Sequence, residues 1–240
     1  NLDSYFELFK TVTTEKTIGE TSPSYINYPS SFEKINKTLE TPKIIILLRD
    51  PIKRAYSNYL HLVREQRETE SFSKSLALED SRKSQCYSDF WLYTFNSFYY
   101  DKIIEAKKTF SEVLIVTQEE LNLDTAKTLV KVYKFLGVSS EFVASNSDIR
   151  YNKGGLYKKN IITNFIFKQG TIKSVLKKVF GISPWMKAIK NTILSNYHYQ
   201  ASPIDIDTEN NLVNLFKKEV INLTKIGVDT SMWNKKFFNK

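Results

Sequence analysis

The chain has 240 residues, of which 41% are hydrophobic and 14% aromatic, a composition that supports a folded core and excludes an intrinsically disordered protein. Its single cysteine, Cys86, excludes an internal disulfide framework, and one cysteine with two histidines does not supply the ligands of a structural zinc site. The single cysteine fits a reducing compartment, and no apolar run reaches the length of a membrane span, so we expect a cytoplasmic protein.

Hydrophobic periodicity predicts alternating helices and strands in the first part of the chain. The expected elements are an amphipathic segment at residues 2–9, a short strand at 16–20, a helix at 31–39, a strand at 44–48 and a helix at 54–67. The polar residues 68–85 are predicted to form a loop with one helical turn.

The same alternation continues toward the C-terminus. The expected elements are a long helix at residues 91–110, a strand at 113–117, a helix at 125–136 between an Asp124 cap and Gly137, a helix at 171–180, and a last helix capped by Asp207 or Thr208 that ends near Gly227. This pattern predicts an α/β fold with a parallel sheet flanked by helices on both faces.

The most informative stretch is residues 43–61, KIIILLRDPIKRAYSNYLH, in which a buried strand leads directly into a helix. Pro51 suits the first helical position, and Asp50 is expected to cap the helix or to orient Arg49. A helix that starts at the carboxyl end of a strand offers free backbone N–H groups to an anion. Arg49 and Ser57 add a guanidinium and a hydroxyl, so the stretch predicts a phosphate site.

This stretch resembles the 3′-phosphate-binding motif of the PAPS-dependent sulfotransferases, in which a serine follows the arginine by eight positions (PAPS is 3′-phosphoadenylyl sulfate). Three further segments resemble the carbohydrate-type and bacterial branches in the same order, namely GETSPSY at residues 19–25, VLIVTQEEL at 113–121 with FLGV at 135–138, and NKGG at 152–155. The resemblance covers most of residues 5–155 and implies a sulfotransferase fold similar to that of P-loop NTPases.

The resemblance implies roles for six residues. Arg49 and Ser57 would hold the nucleotide 3′-phosphate, and Lys153, Gly154 and Gly155 would form a loop that closes on it. Glu20 matches the glutamate that acts as general base in the carbohydrate branch. Four alternatives remain open. Arg49 could be a helix-start arginine paired with Asp50, with Ser57 an exposed helical serine, and Glu20 could be a strand-end carboxylate that pairs with Arg49 or Arg54 or caps the following turn. The two glycines could form an ordinary turn, and His61 could be a second acid/base or a helix-packing residue.

The family also implies PAPS as donor, adenosine 3′,5′-bisphosphate as product, no metal, and a hydroxyl or amine acceptor that we expect to be a carbohydrate.

The lysine-bearing loop that holds the 5′-phosphosulfate belongs upstream of Glu20, and residues 1–19 contain no such loop. We therefore interpret the chain as a single sulfotransferase-like domain, truncated at its N-terminus. Residues 1–155 would be its nucleotide-binding core and residues 156–240 a basic helical part.

Charge is unevenly distributed along the chain. Between Asp148 and Asp205 there is no acidic residue, whereas Arg150 and nine lysines lie in that interval, and the whole chain has a net charge of +9. Lysine is abundant throughout, so this segment is either ordinary composition or an anion-binding surface. Two other functions stay open: a noncatalytic nucleotide-binding module, and binding of nucleic acid or an anionic membrane through residues 149–200.

Overall fold

The computed structural model describes residues 2–145, 155–158, 160, 163 and 197–238. Its internal contacts divide the chain into two compact units. The first comprises Asn1–Leu48 and Asp101–Ile149, and the second Arg49–Tyr100 and Arg150–Lys240. The interpretation as a single domain stays a prediction.

The described residues form mostly α-helices, together with four short strands. The α-helices are α1 (Leu2–Phe6), α2 (Pro29–Leu39), α3 (Pro51–Arg64), α4 (Phe72–Ala77), α5 (Glu79–Ser84), α6 (Tyr100–Thr109), α7 (Gln118–Leu123), α8 (Thr125–Leu136) and α9 (Ile206–Lys225). The strands are β1 (Lys43–Leu48), β2 (Glu112–Thr117), β3 (Leu156–Tyr157) and β4 (His198–Tyr199). None of the described helices is long and apolar enough to cross a membrane.

The first unit is built on the parallel pair β1 and β2, in which Ile46 lies opposite Ile115. Both strands are β-branched and apolar, which favours a pleated, packed arrangement. Leu48 and Val116 are buried, whereas Ile45 and Leu47 on the other face of β1 are 41% and 57% exposed. The predicted parallel pairing of these two strands is confirmed.

The second unit packs α3 against α9. Fully buried residues from both helices form this core: Ala55, Leu62, Phe216, Val220 and Leu223. The hydroxyl of Tyr56 donates to the Ser202 carbonyl at 2.6 Å and so ties α3 to the segment before α9. β3 pairs antiparallel with β4 and lies beside α3.

Several helix limits follow the local signals in the sequence. Pro51 occupies the first turn of α3 after an Asp50 cap. Asp124 caps α8, and Gly137 ends that helix with φ +76°, a left-handed conformation that glycine adopts readily. These limits of α3 and α8 agree with the predicted ones to within a few residues.

Three predicted elements and one predicted cap are wrong. Residues 16–20 form no strand, and residues 68–85 contain α4 and α5, with the Ser71 hydroxyl capping α4. The long helix at 91–110 is broken into 3₁₀ turns at Asp89–Trp91 and Phe95–Ser97, and only then does α6 begin. Asp205 caps α9 instead of Asp207 or Thr208, because its carboxylate accepts from the Thr208 N–H at 2.8 Å. The predicted helix at 171–180 lies outside the described residues.

Side-chain hydrogen bonds explain the break before α6. The Asn96 amide donates to the Asp89 carbonyl, and the Ser97 hydroxyl donates to the Tyr93 carbonyl at 2.8 Å. Thr94 donates from both its N–H and its hydroxyl to Glu79. These bonds favour turns over a continuous helix, as short polar side chains commonly do.

Candidate active site

The predicted phosphate site begins at the Arg49 turn, residues 49–51, where the chain leaves β1 and enters α3. Asp50 is fully buried, and its Oδ1 accepts from the N–H groups of Ile52 at 2.9 Å and Lys53 at 3.1 Å. The Asp50 carbonyl accepts from the Arg54 N–H at 2.8 Å. The expected capping role of Asp50 is therefore confirmed.

This cap corrects the expectation that backbone donors at the start of α3 are free for an anion. Pro51 has no N–H, and the N–H groups of Ile52 and Lys53 both donate to Asp50. An anion at this turn would therefore be held by side chains, with the backbone supplying the shape of the turn.

Two guanidinium groups lie near each other here. Arg54 is mostly buried, and its Nη1 donates to the Asn58 amide oxygen at 3.2 Å. Burial lowers the pKa of Arg54, the neighbouring Tyr99 and Asp89 raise it, and the like charge of Arg49 lowers it further. An arginine nevertheless keeps its charge in a protein.

The ion pairs found among the described residues include neither Arg49 nor Arg54. Arg49 is partly exposed, and its guanidinium adds to the positive charge of Arg54. A doubly charged phosphate group satisfies such a pair well, because guanidinium–phosphate hydrogen bonds are charge-assisted.

Ser57 lies in the second turn of α3, and its side chain is exposed. Arg49, Arg54 and Ser57 all belong to the second unit. A hydroxyl at this position is able to donate to a phosphate oxygen, and its role in binding stays a prediction.

Glu20 lies in the first unit and is exposed. Its carboxylate is hydrogen-bonded to the phenol of Tyr25. Burial raises the pKa of Tyr25, and the charge and hydrogen bond of Glu20 raise it further; burial and the Glu20 charge do the same for Tyr5. Glu20 is therefore a carboxylate flanked by two phenols, in a segment without regular secondary structure.

The alternative of a pair between Glu20 and Arg49 or Arg54 stays open, because these residues belong to different units. Whether Glu20 acts as a general base stays a prediction.

Gly155 is the described member of the predicted NKGG loop, whereas Lys153 and Gly154 lie outside the described residues. Gly155 is buried with φ +129°. A Cβ at this position would overlap the His198 ring and come within 2.8 Å of the Tyr199 carbonyl oxygen. Close packing against β4 therefore requires glycine here, whether or not the loop also touches a phosphate.

A cleft of about 260 Å³ lies in the second unit, at the C-terminal end of α3. Its lining residues come from α3, the turn after it, β3 and β4: Val63, Arg64, Gln66, Leu156, Tyr157 and Tyr199. His61, in the same half of α3, contacts its own helix through Arg64 at 2.9 Å and Glu65 at 3.4 Å. These contacts favour the structural interpretation of His61.

No group of three or more histidine, cysteine, aspartate or glutamate side chains is arranged to hold a metal ion in the part of the chain that the structure describes.

Sequence reasoning missed Tyr99, whose buried hydroxyl donates to the Arg49 carbonyl at 3.1 Å. It also missed Asn234, whose N–H donates to Asp50 Oδ2 at 2.8 Å. Their separations of 50 and 184 residues along the chain leave no local pattern by which to find them.

Comparison with known proteins gives one family. The sequence model of the Sulfotransferase family matches residues 2–141. A 55-residue stretch is 42% identical to the membrane-associated sulfotransferase kil1 of Dictyostelium discoideum, and it spans 23% of this chain and 12% of that protein. The match therefore corresponds to a small part of this relative.

A solved structure matches nearly the whole chain. The crystal structure of a sulfotransferase from Alicyclobacillus acidocaldarius aligns with a TM-score of 0.70 and 26% sequence identity. The alignment covers 97% of this chain and 74% of that one. The fold predicted from the motifs is therefore confirmed.

Proposed function

Because this chain belongs to the sulfotransferase family, we propose that it binds PAPS and transfers the sulfuryl group to a hydroxyl or amine of an acceptor. The observation that supports this most is the Arg49 turn. A partly exposed guanidinium stands there beside the buried charge of Arg54, and Ser57 follows on the same helix. Guanidinium groups in this arrangement favour an anionic ligand, although Asp89 partly offsets the charge of Arg54.

In the proposed complex, Arg49 and Ser57 bind the 3′-phosphate of the nucleotide through charge-assisted hydrogen bonds. Arg54 adds positive potential from a mostly buried position, where screening by water is reduced. Lys153, Gly154 and Gly155 close on the same phosphate.

PAPS supplies the sulfuryl group as a mixed sulfuric–phosphoric anhydride on its 5′-phosphate. During transfer a bond forms between the acceptor oxygen or nitrogen and sulfur, while the bond from sulfur to the 5′-phosphate oxygen breaks. Adenosine 3′,5′-bisphosphate leaves with the bonding electrons. Glu20 accepts the acceptor's proton as general base, a role that a positioned carboxylate performs well.

We propose a carbohydrate acceptor, because GETSPSY around Glu20 resembles the carbohydrate branch of the family. A cytoplasmic location remains part of the proposal on the strength of the single cysteine.

Calorimetry with two nucleotides tests the proposed site. Adenosine 3′,5′-bisphosphate should bind more tightly than adenosine 5′-phosphate, because only the former presents a 3′-phosphate to Arg49 and Ser57. Arg49→Ala should remove most of this preference, on the order of 1.5–3 kcal/mol for charged hydrogen bonds.

Lys53→Ala is the matched control, since it removes one positive charge from the exposed side of the first turn of α3. This variant should weaken the binding of both nucleotides by similar small amounts and leave the ratio of their affinities unchanged. Equal affinities of the wild-type protein for the two nucleotides would refute the proposed 3′-phosphate site.

A further inference from the structure

The carbonyl group of Arg49 is held by a side chain from a distant segment. The hydroxyl of Tyr99 donates to that carbonyl oxygen at 3.1 Å, and Tyr99 itself is only 4% exposed. This bond fixes the peptide plane between Arg49 and Asp50. Together with strand β1, which ends at Leu48, this plane holds the backbone from which the Arg49 side chain starts.

Tyr99 is itself held by α9. The N–H groups of Tyr99 and Tyr100 both donate to Glu219 Oε1 at 2.6 Å. Glu219 lies on α9 between Phe216 and Val220, which are fully buried. These buried residues prevent α9 from rotating about its axis. Glu219 therefore holds the backbone of Tyr99 in place.

The other side of the same turn is held by the segment after α9. Asp50 Oδ2 accepts from the Asn234 N–H at 2.8 Å, and the Asn234 amide donates to Glu209 on α9 at 2.8 Å. Lys236 pairs with the same Glu209 carboxylate. Both contacts to the Arg49 turn thus depend on carboxylates of α9, which lies outside residues 2–141 matched by the family.

Such support has a physical purpose at this position. Arg49 stands near the like charge of Arg54, which repels its guanidinium. If the backbone of Arg49 were also mobile, repulsion could move the whole residue away, and any phosphate bound there would have to reorder both backbone and side chain. A backbone that is held before binding removes the backbone part of this cost.

We propose that Tyr99 is a positioning residue for Arg49, supported by Glu219 of α9, and that it sharpens recognition of the nucleotide 3′-phosphate without touching it. This inference rests on the proposed function, because it assigns Arg49 to that phosphate. It adds two residues that the motif around Arg49 does not contain.

The test compares Tyr99→Phe with Tyr93→Phe. Each variant removes one buried phenol hydroxyl and keeps the ring, but the Tyr93 hydroxyl donates to Glu68 instead of Arg49. By calorimetry, Tyr99→Phe should lower the affinity ratio of adenosine 3′,5′-bisphosphate to adenosine 5′-phosphate about three- to tenfold, the scale of one hydrogen bond. Tyr93→Phe should lower the melting temperature and leave that ratio unchanged.

A double-mutant cycle separates positioning from general damage. In an Arg49→Ala background, Tyr99→Phe should have no further effect on the ratio, because the group that it positions is gone. An equal effect of Tyr99→Phe with and without Arg49 would overturn the positioning role.

The remaining outcomes are also decisive. A wild-type protein that does not distinguish the two nucleotides would refute the proposed nucleotide site, whereas a wild-type preference that Tyr99→Phe retains would refute the positioning role alone.

If Tyr99→Phe does not fold, Glu219→Gln takes its place, since it weakens the acceptor for the Tyr99 N–H and leaves the phenol intact. This variant should lower the ratio in the same direction, and an unchanged ratio would overturn the proposal.

Discussion

At the scale of single residues, the carboxylate of Glu68 shows how a charge is accommodated in the second unit. Glu68 Oε2 lies 2.8 Å from Arg82 Nη1 and accepts from the Tyr93 hydroxyl at 2.7 Å. Oε1 accepts from the N–H groups of Thr69 and Glu70 at 3.0 and 3.1 Å. Burial alone would raise the pKa of Glu68, but its hydrogen bonds, above all with Arg82, hold that pKa below the ordinary value.

Glu68→Gln should therefore be strongly destabilising. The amide keeps the size of the side chain but leaves the buried guanidinium of Arg82 without a counter-charge. We expect the free energy of unfolding, measured by urea denaturation, to fall by about 3–5 kcal/mol. Glu65→Gln, which affects an exposed pair with Arg67, should change it by about 1 kcal/mol or less. A similarly small loss for Glu68→Gln would show that the contacts of Glu68 with Arg82 and Tyr93 contribute little to the free energy of unfolding.

The pKa of Glu79 is shifted in the opposite direction to that of Glu68. Burial raises the pKa of Glu79, and the hydrogen bonds from Thr94 only partly offset this. A carboxyl whose folded-state pKa is raised contributes stability below its unfolded-state pKa, and this contribution is lost as pH rises through the folded-state pKa.

Glu79→Gln should remove that dependence. Relative to wild type, the variant should gain unfolding free energy as pH rises from about 4.5 to about 7. Urea titrations across this range measure the difference between the two proteins. A difference that stays constant with pH would mean that the pKa of Glu79 is the same in the folded and unfolded protein.

At the scale of elements, helix α8 depends on the backbone conformation of Gly137. A Cβ at Gly137 would meet no atom within 4 Å, so Gly137→Ala would cost only the left-handed φ of +76°. We expect a loss of about 1 kcal/mol in unfolding free energy, measured by thermal or urea denaturation. Gly19 is a matched control with equally open surroundings and no positive φ, so Gly19→Ala should be neutral or slightly stabilising. Equal effects of the two substitutions would contradict this account of the helix end.

Helix α8 was predictable because its signals are local: Asp124 lies directly before it and Gly137 directly after it. The start of helix α6 was not predictable, because its first N–H group is capped by Glu219, a carboxylate 119 residues further along the chain. The candidate site divides in the same way. The Arg49–Ser57 motif and the Asp50 cap are local and were found from the sequence, whereas Tyr99 and Asn234 reach the turn only through tertiary packing.

At the scale of the whole molecule, the proposed roles fall in different units. Glu20 belongs to the first unit, and Arg49 and Ser57 belong to the second. Glu20→Gln removes none of the groups proposed to bind the nucleotide phosphates, so it should leave the affinity for adenosine 3′,5′-bisphosphate unchanged. In a protein that also carries the 5′-phosphosulfate loop of the family, the same substitution should lower sulfuryl transfer from radiolabelled PAPS to desulfated polysaccharides about 10²–10⁴-fold, the usual contribution of a general base.

Calorimetry and transfer assays on the same preparation separate these two effects. Aspartate would shift the carboxylate, so glutamine is the better substitution because it keeps the length and can still bond with Tyr25. Turnover near the wild-type rate in Glu20→Gln would assign the base to another residue.

The contacts that hold the Arg49 turn have a consequence for biosynthesis. Arg49 leaves the ribosome before the partners of this turn, which lie 50 and 184 residues further along the chain. Contacts of such high sequence separation form late, because they must wait for both segments and for closure of a long loop. A nascent chain would therefore carry its arginine motif long before that motif could discriminate between nucleotides, and competence for binding would arise only after Asn234 has left the ribosome.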